Sequence, residues 1–182
     1  MLNPEAEAIE DADFKLVPEL VREVRPWKDG LALQRLTAML KEEVKNSPVP
    51  VIVHTHSSKA GILGRLAAWR AGVKHIVHTF HGFGFNDFQP WPVRTAFIWA
   101  ERIAARVTHE FIAVSKANLE RALALKIARP GQIRVIRSGI NISEFEPPPG
   151  FDRKEKKRSL GLDPEAPLAL MVACLKPQKS PV

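Results

Sequence analysis

VIVHTHSSKAGILGRLAAWRAGVKHIVHTF, residues 51–80, decides the fold. It follows Pro48 and Pro50, which break whatever precedes it. VIVHTH (51–56) begins as a fully apolar run of strand length, AGILGRLAAWRAG (60–72) has helical character with a Gly72 stop, and KHIVHTF (74–80) is a second strand. Both strands are too uniformly apolar to have one wet face. That is how strands of a parallel sheet read when helices cover both sides.

The same alternation continues outward. Toward the carboxyl terminus, Pro92 to about Val107 predicts a helix with proline in its first turn. EFIAV (110–114) predicts a strand, SKANLERALALKI (115–127) a helix opened by the capping Ser115, and QIRVI (132–136) another strand. Toward the amino terminus, Leu31, Leu33, Leu36, Met39, Leu40 and Val44 form a helix-period apolar stripe, with Asp29 at the expected N-cap. Before it, PEAEAIEDA (4–12) reads as a short acidic helix and FKLV (14–17) as a short strand. Strands alternating with helices across short links indicate an α/β, doubly wound parallel sheet.

From Glu146 the character changes. EPPPG and then FDRKEKKRS make a proline-rich, charged stretch of the kind that separates domains. LALMVACL (168–175) then reads as the first buried strand of something new. The expected organisation is therefore a domain over 1–145, a linker over 146–160 and a domain start over 161–182.

Composition narrows the function classes. Forty-five per cent hydrophobic and 26% charged residues argue against global disorder. No apolar run approaches membrane-spanning length, and a single cysteine, Cys174, excludes a multi-cysteine zinc site or an internal disulfide framework. A cytoplasmic protein is the expectation. The net charge of +7 is uneven: residues 1–50 carry 7 basic and 10 acidic side chains, residues 54–138 carry 13 and 4. A basic middle suits a phosphorylated small molecule, an anionic membrane surface or nucleic acid, and equally a solvated face with no ligand. No recognised nucleic-acid-binding motif is present, so no nucleic-acid partner is expected.

In an open parallel sheet, ligands bind beyond the carboxyl ends of the strands. Those ends read His54-Thr55-His56-Ser57-Ser58, His78-Thr79-Phe80-His81-Gly82, Ser115, and Arg137-Ser138-Gly139, which puts four of six histidines on one rim. Ser57, Ser58, Lys59 and the first amides of the following helix suit an anion, although either serine would also serve as a plain helix cap. His54 is expected to be buried and hydrogen-bonded. His54 and His56, two apart at a strand end, are expected on opposite faces, which disfavours a shared metal. His81 precedes a glycine turn, HGFGF, in which Gly82 and Gly84 let backbone approach a ligand. Residues 80–99 hold seven aromatics, read either as core or as a lip at a lipidic interface. Arg94, Arg102 and Arg106 give the helix there a basic amphipathic side.

Four segments together carry a family resemblance: residues 51–85 (through HGFGF), FIAVSKANLERAL (111–123), IRVIRSGINISEF (133–145) and VACLKPQKSPV (172–182). In that order they resemble landmarks of the retaining glycosyltransferases of family 4, over about residues 14–182. The resemblance implies the amino-terminal half of a GT-B fold, in which two Rossmann-like domains face a cleft. It implies transfer of a sugar from a nucleotide-sugar, a substrate rather than a cofactor, to a saccharide or lipid-linked acceptor hydroxyl without a metal.

Within the resemblance, His81 matches the cleft histidine that contacts the donor sugar. Ser115 and Gly139 match motif positions, and Lys179 matches the lysine that neutralises the donor diphosphate. His54, His56, Ser57, Ser58, Lys59, Gly82 and Arg137 would complete the substrate-binding set. Where the family carries arginine, this chain has Cys174; where it carries Asn-Gly-Val-Asp, it has Ser138-Gly139-Ile140-Asn141. The family's first strand with its glycine-rich loop and its paired glutamates find no match. The chain therefore reads as a piece truncated at both ends and inactive alone, from a cytoplasmic enzyme with peripheral contact at the inner membrane face.

Overall fold

A computed structural model describes residues 13–172. It divides into two compact units, Met1–Arg137 and Ser138–Val182. In the first, helix α1 (Pro26–Asn46) precedes β1 (Ile52–His56), α2 (Ser58–Arg70), β2 (His75–Phe80), α3 (Trp91–Ala105), β3 (Glu110–Ala113), α4 (Lys116–Ala124) and β4 (Ile133–Val135). The four strands form one sheet in the order β1-β2-β3-β4, every pair parallel. The α/β parallel sheet predicted from residues 51–80 is what the chain forms.

Coverage of the sheet differs from the expectation. Thr55 pairs with His78, His78 with Phe111, and Phe111 with Ile133, so these residues share a face. α2, α3 and α4 pack on that face, where Phe80, Phe111, Ala113 and Ile133 are buried with Ala105 and Ala122 from the helices. The reason is chirality. Right-handed crossovers taken in one constant direction lay the three connecting helices on the same side. The opposite face presents Ile52, His54, His56, Val77, Thr79, Ile112 and Arg134, with Ile52 65% exposed.

Aromatic packing anchors the covered face. Phe80 and Phe111 stack with ring centroids 5.3 Å apart and near-parallel planes. Each such buried side chain contributes about 1.5–3 kcal/mol. A second cluster, Ala68, Ala71, Val73 and Ile76 with Leu40 and Val53, ties α1 and α2 to the first two strands.

Local differences from the sequence reading have plain causes. The α1 helix begins at Pro26, so Asp29 lies inside its first turn rather than capping it; its carboxylate reaches back to accept from the Arg25 amide at 3.1 Å. FKLV is not a strand: Phe14 and Leu16 are exposed and Leu20 closes a turn onto Val17. No neighbouring strand pairs with it among the described residues. The acidic stretch 4–12 lies outside those residues.

In the second unit a short 3₁₀ helix, Ile142–Phe145, is followed by α5 (Arg153–Ser159) within the charged stretch. Asp152 caps α5 by accepting from the Lys154 and Glu155 amides at 2.7 and 3.3 Å. Residues 168–172 form no strand, and Leu170 and Val172 are 81% and 90% exposed. Residues 173–175, the remainder of LALMVACL, lie outside the described part.

Candidate functional site

Parallel strands end on a common edge, and here that edge gathers the polar residues. His56 closes β1 and Phe80 closes β2 beside it, so His81 emerges next to the β1 end. The two rings meet: His56 Nδ1 lies 3.0 Å from His81 Nε2. His54 lies over His56 with centroids 4.3 Å apart and is held by a 2.7 Å bond between its Nε2 and Thr79 Oγ1. The expectation that His54 and His56 point to opposite faces is corrected here, because residues two apart in a strand share a face. His54 is hydrogen-bonded as expected but exposed rather than buried. Among the described residues, no group of three or more His, Cys, Asp or Glu is arranged to hold a metal ion.

The fourth rim histidine has a different environment. His78 points to the helix-covered face, is 1% exposed and shares its Nδ1 with Thr55 Oγ1 at 2.9 Å. Burial, then the nearby Arg65 charge, pushes its pKa down to about 2. Gly61 of α2 sits against it so closely that a Cβ there would fall 2.4 Å from His78 Cε1. His78 is thus a neutral packing element. Behind it, Arg65 and Glu101 form a 2.6 Å ion pair with side chains 0% and 2% exposed. Burial lowers the Arg65 pKa and raises that of Glu101, and each partner's charge opposes the change. Arg65 also donates to Gly61 O at 2.9 Å and lies over the Phe111 ring. Nothing in the local sequence pattern announces this pair, 36 residues apart.

The β1–α2 turn is strained. Ser57 has φ 64° and ψ 163°, a region populated almost only by glycine. Ser57 stands at the N-cap, yet its hydroxyl makes no capping bond, so the plain-cap reading does not hold for it. The opening amides of α2 have no partner within the helix, as at every helix start. Gly84 brings the HGFGF turn onto this point: a Cβ on it would meet Ser58 Cβ at 2.6 Å and Phe97 at 3.8 Å. Gly82 has open space around it.

Lys59 is placed otherwise than expected. Its ammonium pairs with Asp29 at 2.5 Å and donates to the carbonyls of Val21, at 2.7 Å, and Glu23. Its charge is spent tethering the segment before α1, which removes Lys59 from the anion-holding set. Ser115 caps α4, accepting from the Asn118 amide at 3.1 Å, as its position predicts. Arg137 follows β4 on the same edge and is exposed. It stands three strand spacings from β1, ~14 Å, so the rim is an elongated wall. Gly139 belongs to the second unit, and Lys179 and Cys174 lie outside the described residues.

Two further surfaces flank the rim. An apolar groove of about 460 Å³ runs between the start of α1, α2 and α3, lined by Val24, Ile62, Leu63, Val93, Phe97 and Ala100. The aromatic stretch divides: Phe80 and Phe85 are core, whereas Phe88, Trp91 and Trp99 are 70%, 76% and 53% exposed. Arg94 pairs with Asp87 at 3.3 Å, Arg102 donates to Leu125 O at 2.9 Å, and Arg106 is exposed. No helix among the described residues is long and apolar enough to cross a membrane.

A parallel sheet with successive crossover helices and a polar rim at its carboxyl edge is the layout of a Rossmann-like half-domain, the class to which this fold belongs. Its sequence settles the family. The model of Glycosyltransferase Family 4 matches residues 3–144, and the chain belongs to that family.

Curated relatives agree. Over 167 residues the chain is 39% identical to the UDP-Gal:alpha-D-GlcNAc-diphosphoundecaprenol alpha-1,3-galactosyltransferase of Escherichia coli, covering 91% of this chain and 41% of that protein. It is 30% identical to the D-inositol 3-phosphate glycosyltransferase of Actinosynnema mirum, over 79% of this chain and 35% of the relative. It is also 30% identical to the alpha-maltose-1-phosphate synthase of Mycolicibacterium smegmatis, over 81% and 39%. The chain thus spans about two fifths of the length of the relatives it matches.

Proposed function

We propose that this chain is the acceptor-side half of a retaining glycosyltransferase that moves a sugar from a nucleotide-sugar to the hydroxyl of a saccharide or lipid-linked acceptor. The observation that supports it most is the meeting of His56 and His81 at the sheet's carboxyl edge, beside the first turn of α2. It occurs in a chain 39% identical to a galactosyltransferase over nearly its whole length. In this reading a ring nitrogen of His81 bonds a hydroxyl of the transferred sugar. The hydroxyls of Ser57 and Ser58 and the opening amides of α2 hold the acceptor, where a phosphate would gain from the helix dipole. His54 supports His56, and Arg137 guards the far end of the wall.

Charge on the leaving diphosphate falls to Lys179, in the segment that resembles the donor side, and a fixed cation there lowers the barrier by stabilising developing charge. No cofactor enters this reading. The acceptor side alone then transfers no sugar, because the diphosphate must be held by a second domain. The apolar groove beside Phe97 suits the hydrocarbon end of a lipid-linked acceptor. Exposed Trp91, Trp99 and Ile103 with Arg102 and Arg106 suit peripheral contact with an anionic bilayer. A non-catalytic module binding a phosphorylated sugar or such a bilayer is the second reading, favoured by the same patch.

A chimaera separates the two readings. The matched segment of the Escherichia coli galactosyltransferase is replaced by this chain, and galactose transfer to GlcNAc-diphosphoundecaprenol is measured. Turnover is the expected result. A folded chimaera that binds anionic vesicles but transfers nothing would favour the binding module.

A further inference from the structure

Two imidazoles whose nitrogens stand 3.0 Å apart are not independent. One must donate and the other accept, because each neutral ring carries a single N–H. His56 Nδ1 and His81 Nε2 form such a contact. Neither His56 Nε2 nor His81 Nδ1 has a hydrogen-bond partner among the described residues, so these are the atoms left for a ligand. His56 is itself pinned. The His54 ring lies over it, His54 is bonded to Thr79, and Thr79 stands opposite His56 in the β1–β2 register.

We propose that His56 is a positioning residue for His81: while both rings are neutral, their shared bond locks them into the same tautomer, so that the pair presents one donor and one acceptor at its outer nitrogens. This inference rests on the reading of His81 as the sugar contact and names what His81 can recognise. If His56 Nδ1–H donates, His81 must carry its proton on Nδ1 and offers a donor. If His81 Nε2–H donates, its Nδ1 is bare and accepts, while His56 carries its proton on Nε2. A hydroxyl, which both donates and accepts, satisfies either arrangement; an anionic phosphate oxygen satisfies only one.

The surroundings keep the pair from becoming a cation pair. The titratable neighbours of His56 are His54 on its own strand, His81, and buried His78 on β2, with Arg65 of α2 and its partner Glu101 of α3 behind His78. Burial, then His54 and His81, lowers the His56 pKa below its ordinary value. Protonating both rings would set two N–H groups against each other across 3.0 Å. With both rings neutral, the pair suits a hydroxyl, which both donates and accepts, at this point of the wall.

Long-range proton–nitrogen NMR of the ¹⁵N-labelled chain at neutral pH tests this without any assay of transfer. The nitrogens of His56 and His81 are expected to report the same tautomer in the same proportion. The exposed His56 is then changed by His56→Leu, which leaves the core untouched and is expected to move the His81 proportion away from the wild-type value. Unequal proportions in the wild type, or a His81 proportion unmoved by His56→Leu, would overturn the proposal. If the coupling holds but the chimaera turns over equally with His81→Ala, the sugar-contact reading fails and the coupling itself stands.

Discussion

His78 and His81 stand three residues apart in one HTFH run, yet the chain puts them to opposite uses. His78 ends up on the helix-covered face, 1% exposed, fenced by Gly61 and Thr55, with the Arg65–Glu101 pair behind it. His81 ends up exposed on the rim, bonded among the described residues to another exposed histidine, His56, which a strained serine follows. One region buries its polar groups and pairs most of them, although Arg65 Nη1 has no hydrogen-bond partner among the described residues; the other leaves ring nitrogens without partners among those residues. Polar atoms with no partner inside the protein are where a substrate can substitute for water.

The contrast can be broken hardest at the ion pair. Arg65→Met strands the Glu101 carboxylate in the core, and the loss should be about 3–5 kcal/mol. Arg65→Met with Glu101→Leu should recover most of it, because no charge is then left buried alone. Urea unfolding of the single and double variants measures both. A single variant as stable as the wild type would mean that the pair is reached by water.

Acid should reveal the second difference. Unfolded, His78 takes up a proton near pH 6.5; folded, it resists until about pH 2. Its contribution is complete above pH 6.5 and is lost as the pH falls, by up to ~1.4 kcal/mol per pH unit. Glu101, with its raised pKa, acts in the opposite sense. Comparison with His78→Asn isolates the histidine: the wild type should lose stability more steeply between about pH 6.5 and 5. Equal slopes would place His78 in contact with solvent.

At the rim the expected sign reverses. Ser57→Gly removes a side chain from a backbone region that glycine alone tolerates, and should stabilise the fold by about 1 kcal/mol. In the chimaera the same change should lower transfer, because the hydroxyl is lost. Stabilisation without any change in transfer would make the turn strained for no purpose connected with the acceptor.

Much of this was legible in residues 51–136. Apolar runs of strand length separated by helix-period segments fix the parallel sheet, and a parallel sheet fixes where its polar ends converge. Ser115 was legible as a cap because capping is a local event. What was not legible depends on contacts far apart in sequence. Arg65 and Glu101 find each other only across α2 and α3. Lys59 looks like an anion ligand until Asp29, on α1, takes its charge. FKLV has strand composition, but a strand exists only where another pairs with it, and the face on which the connecting helices lie follows from crossover direction rather than from any residue. The roles of His78 and His81 separate only once the register assigns each its face.

The most direct measurement is galactose transfer by the chimaera with and without His81→Ala, alongside the unfolding midpoint of each. Because His81 is exposed and makes one hydrogen bond among the described residues, the midpoint should stay put while transfer falls about tenfold or more, the size of a lost polar contact at the reacting sugar. Transfer at the unmodified rate by a folded His81→Ala chimaera would contradict the account.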